Sequence, residues 1–234
     1  MFSGSTPASD ATRRRKRSFP ASAESYKGKH RELLAWYRKQ MKDLDIEIHY
    51  NYEVKTINEF KCPVIIATGS TPVKLNGVEG YDKVVEACRF LNGDEVVGQK
   101  VVVVGGGLTG SEIAYELHIT GKDPSIVEMK DDLIAQKGVC LANSSYRWES
   151  FAWKKVPVYL ETTLSKVFDD RILCKDKDGR DVEISCDSVI GAIGYLPAPL
   201  STMDRKDAYL VGDCKTVGNL RTVIWSAYET AMKI

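Results

Sequence analysis

Features that would point to a metal site or a membrane are scarce in this sequence of 234 residues. The closest two of its six cysteines, Cys174 and Cys186, are 12 positions apart, and no Cys/His cluster has the spacing of a metal site. No apolar run approaches the roughly 20 residues that cross a bilayer, and no signal peptide is evident. We therefore expect a cytoplasmic protein with reduced thiols, no metal and no membrane contact.

Excess charge of either sign is also missing. The chain has 33 basic and 32 acidic side chains, and its formal net charge is +1. A balance of this kind creates no field that would attract nucleic acid or another polyanion. We therefore expect no nucleic-acid partner and a specific pocket for a small-molecule cofactor.

Histidine, the usual acid and base of enzymes, occurs only three times. His30, His49 and His118 have no partner at the spacing of a catalytic or metal-binding pair. We interpret them as structural or surface residues. Because no other side chain stands out as an acid, base or nucleophile, the sequence predicts no catalytic side chain.

Residues 1–27 show neither helical nor strand periodicity. They are rich in Ser, Thr, Ala and Pro around the basic run Arg13–Arg17. This composition predicts a disordered basic leader. The run also allows nucleic-acid binding or nuclear import, but a solvated tail is the better interpretation on a nearly neutral chain.

Helical and strand patterns alternate through the rest of the chain. Apolar residues from Leu33 to Leu44 recur at spacings of four, four and three, which predicts an amphipathic helix, and the alternation from Ile46 to Tyr50 predicts a strand. Asp178-Gly179 between two strand-like runs predicts a tight hairpin in which both residues take positive φ. Strands are predicted at 64–67, 100–104, 125–128, 188–192 and 208–211, of which those at 64–67, 100–104 and 188–192 are expected to be buried. This succession is typical of an α/β fold.

A glycine-rich loop follows the strand of four valines. Gly105, Gly107 and Gly110 form G-x-G-x-x-G, and Leu108 and Thr109 complete the loop before a helix predicted from about residue 110. The first glycine permits a tight turn, the second lets the backbone approach a pyrophosphate, and the third allows close packing of helix and strand. The start of the helix offers backbone N–H groups and a partial positive charge to phosphate.

An acidic residue stands where the adenosine ribose of a dinucleotide would lie. Glu128 ends the next predicted strand, 18 residues after Gly110, and its carboxylate can accept hydrogen bonds from both ribose hydroxyls. A 2′-phosphate would meet like charge there, so the sequence predicts NADH rather than NADPH. Met129 and Lys130 follow directly and belong to the predicted site. The alternative is a glycine-rich turn and a surface acid without a ligand.

Four motifs occur in a characteristic order, namely Ala67–Pro72, the loop at 105–110, Ala192–Tyr195 and Val211–Cys214. In this order they resemble the flavoprotein reductases with two dinucleotide-binding folds. Together with Arg31–Arg38, they make most of the chain similar to the C-terminal flavin and pyridine nucleotide portion of the 2-enoate reductase and 2,4-dienoyl-CoA reductase family. Full members of that family resemble old yellow enzyme in their N-terminal half.

The resemblance implies a Rossmann-like NAD-binding domain at 95–195, inserted into a FAD-binding domain of the glutathione reductase kind at 28–94 and 196–234. It implies that Thr68 and Gly69 line the FAD side. From the residues alone, a buried strand that ends in glycine exposes backbone N–H groups at the carboxyl edge of a sheet, where α/β folds bind ligands.

The resemblance also assigns residues beyond the first motif. It implies that Asp213, after Gly212, hydrogen-bonds the ribityl chain of FAD, that Ile193 and Gly194 border the cofactors, and that Glu112 lies near the nicotinamide. From the residues alone, Asp213 is equally a helix cap and Glu112 an acid on a helix face.

The sequence departs from this family at the sites of three cofactors, namely FAD, FMN and an iron-sulfur centre. A first strand with its own G-x-G-x-x-G ahead of residue 28 is missing, as are the FMN barrel and the cysteines of an iron-sulfur centre. We therefore expect NADH to bind and FAD binding to be weakened, because the second phosphate loop is absent. We expect the FAD-type sheet to lack its central strand and to be completed by another subunit or by self-association.

Two functions remain open at this stage. The first is the NADH-binding portion of a flavin-dependent oxidoreductase, which passes a hydride from NADH to FAD in a family that reduces enoate or dienoyl C=C bonds. The second is a catalytically silent dinucleotide-binding module, or a truncated gene product without the FAD phosphate loop.

Overall fold

A computed structural model describes residues 20–135 and 141–234, so the basic run Arg13–Arg17 and most of the predicted leader lie outside the described residues. The helices are α1 (Gly28–Asp43), α2 (Ala87–Leu91), α3 (Leu108–Ile119), α4 (Leu141–Lys154) and α5 (Leu220–Ala231). The strands are β1 (Val64–Ile66), β2 (Ser70–Pro72), β3 (Val85–Glu86), β4 (Lys100–Val104), β5 (Asp123–Val127), β6 (Val158–Tyr159), β7 (Thr163–Val167), β8 (Arg171–Lys175), β9 (Asp181–Ser185), β10 (Ser188–Gly191), β11 (Tyr195–Pro197) and β12 (Ala208–Leu210). Among the described residues, none of these helices has the length and apolarity needed to cross a membrane.

The chain divides into two compact units. The first contains the described residues up to Leu44 together with Lys74–Ile193, and the second contains Asp45–Val73 and Gly194–Ile234. These bounds differ from the predicted domains, because β3 pairs with β10 of the first unit and α1 also belongs to that unit. The cofactor of each unit stays a prediction.

The first unit is built on a parallel sheet with the strand order β3-β10-β4-β5-β6. Successive valines of β4 point to opposite faces of this sheet. Val101 and Val103 pack in one core cluster with Ile113 of α3, whereas Val102 packs in a second cluster with Ile172 of the antiparallel layer β7-β8-β9. The predicted α/β class and the central position of the valine strand are confirmed.

The predicted Asp178-Gly179 turn is longer than a two-residue hairpin. Strands β8 and β9 pair antiparallel, but five residues connect them and only Gly179 has a positive φ, of 77°. The Asp176 carboxylate accepts the N–H groups of Asp178 and Arg180 at 2.9 Å each. The predicted hairpin is therefore confirmed, and the predicted turn type was wrong, because an aspartate side chain organises a longer turn.

The second unit has two small sheets. Strands β1 and β12 pair in parallel, and β2 and β11 pair antiparallel. The N–H of Val73 donates to the carbonyl oxygen of Gly194 at 3.0 Å, directly beside the β2-β11 pair. The strand predicted from Ile46 to Tyr50 does not form, and Ile46 and Ile48 are exposed. Alternating residues favour a strand only where a partner strand is present.

Strand β1 pairs with β12 on one edge and, within the described residues, with no strand on the other. The side chain of Ile65 on this strand is 48% exposed. A mostly apolar cleft of about 320 Å³ runs beside it, lined by residues such as Ile57, Val64 and Leu200. An open strand edge beside apolar surface is unusual in a folded protein and invites pairing with another strand.

The Arg205 side chain binds the segment from Ile57 to Cys62, which precedes β1 in the second unit. Its guanidinium donates to the carbonyl oxygens of Ile57, Phe60 and Cys62 at 2.7–2.8 Å and pairs with Asp207. No shorter or monodentate side chain can reach three carbonyls and a carboxylate from one position.

We expect Arg205→Ala to lower the melting temperature of the second unit by roughly 5 °C or more, because three carbonyl groups lose their donor. Arg180→Ala is the matched control, since Arg180 pairs with aspartates in an exposed turn and its loss should shift the melting temperature little. Calorimetric melting and limited proteolysis within residues 57–62 measure the effect. Equal melting of the two variants would refute the role given to Arg205.

Candidate functional site

The glycine loop leaves β4 at the centre of the parallel sheet. Gly105 has a φ of 107°, and a Cβ there would overlap the carbonyl oxygen of Ala192 and lie 2.7 Å from its carbonyl carbon. A Cβ on Gly110 would overlap the carbonyl oxygen of Gly105. Both positions therefore require glycine, Gly105 for its conformation and its neighbour and Gly110 for close packing.

Helix α3 begins at Leu108, two residues before the predicted start, and Gly107 is its N-cap residue. Among the residues that the structure describes, no side chain caps this end, so the backbone N–H groups of Leu108, Thr109 and Gly110 have no side-chain acceptor there. Uncapped N–H groups at the start of a helix form a natural site for phosphate. The loop and the helix start thus lie together at the carboxyl end of the central strand, where open α/β sheets bind ligands.

Glu128 joins this loop to the end of β5. Its Oε2 atom accepts the N–H of Gly106 at 2.6 Å, and its Oε1 atom accepts the N–H of Lys130 at 2.9 Å. The residue is buried, yet each carboxylate oxygen keeps a second lone pair for a hydroxyl group. Glu128 therefore fixes the loop and retains the capacity to accept hydrogen bonds from a ribose. Met129 and Lys130 are exposed at the rim.

Two residues around this loop, Gly106 and Ile134, have roles that the sequence analysis missed. A Cβ on Gly106 would lie 3.0 Å from the Cβ of Glu128 and would overlap the end of the Leu133 side chain, so the middle glycine of the run is closely packed and a larger residue would displace Leu133. The N–H of Ile134 donates to the Gly106 carbonyl oxygen at 2.9 Å, and Ile134 itself has a φ of 54°. Positive φ is strained for a β-branched residue and often accompanies functional sites.

Glu112 lies on α3 and is engaged in an ion pair. The Lys27 Nζ atom lies 2.7 Å from Glu112 Oε2 and 3.1 Å from Glu24 Oε1. Burial raises the pKa of the Glu24 carboxyl above its ordinary value, although the nearby Lys27 ammonium acts in the opposite direction. Sequence reasoning identified Glu112 alone, because its partners are 85 or more positions away.

In the second unit, the residues predicted to line FAD follow two neighbouring parallel strands. Gly69 and Gly212 have φ angles of 75° and 63°. The Thr68 hydroxyl donates to a carbonyl oxygen at 2.6 Å, and the Asp213 carboxylate accepts the N–H of Gly218 at 3.1 Å. Because β1 and β12 are parallel, Thr68 and Asp213 come together at one edge of the sheet.

The structure also gives the contacts of Asp213 and the positions of Ile193 and Gly194. The Ser70 hydroxyl, which sequence reasoning missed, donates to Asp213 at 3.5 Å. Asp213 thus orders its own loop and is not the N-cap of α5, a role that belongs to Asn219. Ile193 ends the first unit, and Gly194, with a φ of 107°, begins the next segment of the second.

The described cysteines are free thiols. Burial raises the pKa of Cys174 to about 12 and that of Cys186 to about 11, so both stay protonated near neutral pH. No cluster of His, Cys, Asp or Glu suited to a metal ion occurs in the part of the chain that the structure describes.

The sequence profile of the pyridine nucleotide-disulphide oxidoreductases matches residues 63–210. The chain is 36% identical over 223 residues to a cinnamate reductase of Clostridium sporogenes, and the alignment covers 92% of this chain and 33% of that protein. It is 27% identical to a bilirubin reductase of Mediterraneibacter gnavus, over 83% of this chain and 31% of the relative. This protein belongs to the pyridine nucleotide-disulphide oxidoreductase family, and the predicted resemblance to enoate reductases is confirmed.

A solved structure agrees with this fold. The complex of 2-naphthoyl-CoA reductase with 2-naphthoyl-CoA superimposes with a TM-score of 0.81 at 24% identity, over 92% of this chain and 34% of that one. At this level of identity the likeness establishes the fold, and the Rossmann-like prediction is confirmed. The chain spans about a third of the length of these relatives.

Proposed function

We propose that this chain binds NADH through the glycine loop and Glu128, and that it delivers the hydride of NADH to a flavin associated with the second unit. The observation that carries the proposal is the joint geometry of Gly105, Gly110 and the uncapped start of α3, beside a buried acid. The nicotinamide supplies the hydride when NADH is bound, and the protein supplies position and charge.

Each residue of the proposed NADH site has a distinct task. The N–H groups at the start of α3 hold the pyrophosphate, and Gly107 keeps that approach free of side chains. Glu128 accepts the ribose hydroxyls with its remaining lone pairs. Because Glu128 is buried and already bound to Gly106 and Lys130, it cannot turn away from a 2′-phosphate, which favours NADH over NADPH.

The residues of the second unit fit only part of a FAD molecule. The ribityl region of FAD would be held by residues that follow the carboxyl ends of β1 and β12, namely Thr68, Gly69, Gly212 and Asp213. The sequence contains one G-x-G-x-x-G, and that motif serves the first unit. We propose that a further polypeptide segment pairs with the open edge of β1 and supplies a phosphate cradle for FAD.

The substrate class of the completed enzyme is part of the same proposal. Relatives are named as reductases of cinnamate and bilirubin. We propose that reducing equivalents pass from the flavin to a substrate with a conjugated C=C bond, and that this substrate binds in another part of the enzyme. The chain itself would then serve as the entry point for electrons.

Isothermal titration calorimetry with NADH and NADPH tests the proposed site. We expect NADH to bind at least about tenfold more tightly than NADPH, because one like-charge contact costs on the order of 1.4 kcal/mol. A dye-reduction assay with added FAD tests the hydride step separately. Equal or undetectable binding of both nucleotides would refute the NADH site.

A dinucleotide-binding module without turnover is the second candidate. The observation that favours it is the two-stranded β1-β12 sheet with its open edge. Protein that binds NADH, takes up no FAD and reduces no dye would establish this alternative. The calorimetric and dye assays together therefore separate the two functions.

A further inference from the structure

The main chain of Glu128 is held as firmly as its carboxylate. Its N–H donates to the carbonyl oxygen of Tyr159, and its carbonyl oxygen accepts the N–H of Thr162, at 2.9 Å each. Tyr159 ends β6, and Thr162 directly precedes β7. The connection between β6 and β7, residues 160–162, therefore lies alongside the turn that follows β5.

The two residues that donate N–H groups to the Glu128 carboxylate are bound a second time. Those donors are Gly106 and Lys130. The carbonyl oxygen of Gly106 accepts the N–H of Ile134, and that of Lys130 accepts the N–H of Glu161, at 2.9 Å each. The carboxylate and the main chain of another residue thus hold each donor from two sides.

The residues that make these outer bonds share an unusual conformation. Ile134 and Glu161 have φ angles of 54° and 49°. Positive φ is unfavourable for a residue with a side chain and persists only where the surrounding structure imposes it. The side chain of Glu161 is 44% exposed and pairs with Lys177, which is 61% exposed, so an exposed pair of this kind does not account for the strain. The feature of Glu161 that the fold uses is its N–H.

Thr162 holds Glu161 in this conformation. The Thr162 side chain is buried, and its hydroxyl donates to the carbonyl oxygen of Leu160 at 2.7 Å, across Glu161. The N–H of the same threonine binds the main chain of Glu128. A single residue therefore shapes the connection and joins it to the acid.

Resting on the proposed NADH site, we propose that Glu161 and Thr162 are positioning residues that fix the Glu128 carboxylate toward the adenosine ribose and so set the preference for NADH over NADPH. A carboxylate accepts two ribose hydroxyls only over a narrow range of positions, and it repels a 2′-phosphate fully only if it cannot move away. The bonds from residues 161 and 162 prevent that movement. Nucleotide preference is thus determined partly by a connection that lies outside the glycine loop and its acid.

The test measures the affinities of NADH and NADPH by isothermal titration calorimetry. Glu161→Pro removes the N–H that Lys130 accepts and cannot adopt a positive φ. We expect this variant to bind NADH about tenfold more weakly and NADPH within about twofold of the unaltered chain, because the ribose loses a fixed acceptor while the phosphate escapes a fixed charge. Lys177→Ala is the matched control, since it removes only the exposed partner of Glu161 and should change neither affinity.

Glu161→Gly separates the main chain of this residue from its side chain. Glycine keeps the N–H donor and adopts positive φ without strain. We expect this variant to retain the preference for NADH and to melt at the same or a higher temperature than the unaltered chain.

Thr162→Val supplies an independent measurement if Glu161→Pro folds poorly, because valine resembles threonine in shape and lacks the hydroxyl. The ratio of NADH to NADPH affinity should fall by about threefold in Thr162→Val and should be kept in Thr162→Ser. An unchanged ratio in whichever of Glu161→Pro and Thr162→Val folds, including an equal loss of both affinities, would overturn the positioning role. An unaltered chain that binds neither nucleotide, or both equally, would overturn the proposed function and this inference with it.

Discussion

Gly110→Ala is expected to abolish NADH binding and to destabilise the first unit. The added methyl group would overlap the carbonyl oxygen of Gly105 and lie 3.0 Å from its carbonyl carbon. These atoms belong to the backbone and cannot turn aside as a side chain can. The first turn of α3 must then move away from the loop. We expect the free energy of unfolding to fall by an amount at the upper end of the about 1–3 kcal/mol that overpacking costs.

Urea unfolding and calorimetric titration with NADH measure the two effects of Gly110→Ala. Gly28→Ala is the matched control, because a methyl group there meets only the Arg31 guanidinium, at 3.9 Å, and alanine favours the helix that Gly28 begins. The control should keep full NADH affinity and equal or higher stability. An unchanged unfolding midpoint with retained NADH binding in Gly110→Ala would contradict the packing assigned to this glycine.

Glu128→Ala is expected to weaken NADH binding by about 100-fold or more and to remove the preference for NADH over NADPH. The substitution takes away the acceptor of two backbone N–H groups, those of Gly106 and Lys130. Each buried N–H left without an acceptor costs about 1–3 kcal/mol, and the ribose hydroxyls lose their acceptor as well. The glycine loop would also lose the bond that ties it to β5.

Titration of NADH and NADPH against three variants separates these contributions. Glu128→Gln keeps the size of the side chain but turns an N–H2 group toward a backbone donor, so we expect an intermediate loss of NADH affinity. Glu183→Ala on the exposed β9 strand should behave like the unaltered chain. A Glu128→Ala variant that still prefers NADH over NADPH would show that another group recognises the ribose.

The unit formed by β4, the glycine loop, α3 and β5 was predictable because several levels of the sequence agree there. Four valines, three spaced glycines and an acid at the end of the next strand all favour the same strand, loop, helix and strand. The structure moves the start of α3 from residue 110 to Leu108 and adds Gly106 to the closely packed glycines. The run of three consecutive glycines was the signal for Gly106.

The parts that could not be predicted depend on contacts between distant residues. Lys27 and Glu112 are 85 positions apart, and neither belongs to a motif that names the other. The positive φ of Ile134 contradicts the preference of a β-branched residue, so only the surrounding packing can impose it. The apolar stripe of α1 was predicted from its spacing, and no residue of this helix is buried. A pattern indicates which face is apolar and does not identify what covers it.

The hydrogen bond between Val73 and Gly194 closes the point at which the chain leaves the second unit and returns to it. A segment whose two ends are adjacent can be lengthened, exchanged or removed with a small change in loop-closure entropy, because β2 and β11 keep their pairing. Recombination at this joint would carry residues 74–193 between proteins as one cassette. The same joint offers a place where the larger part of the first unit can be exchanged by grafting, with the host strands left intact.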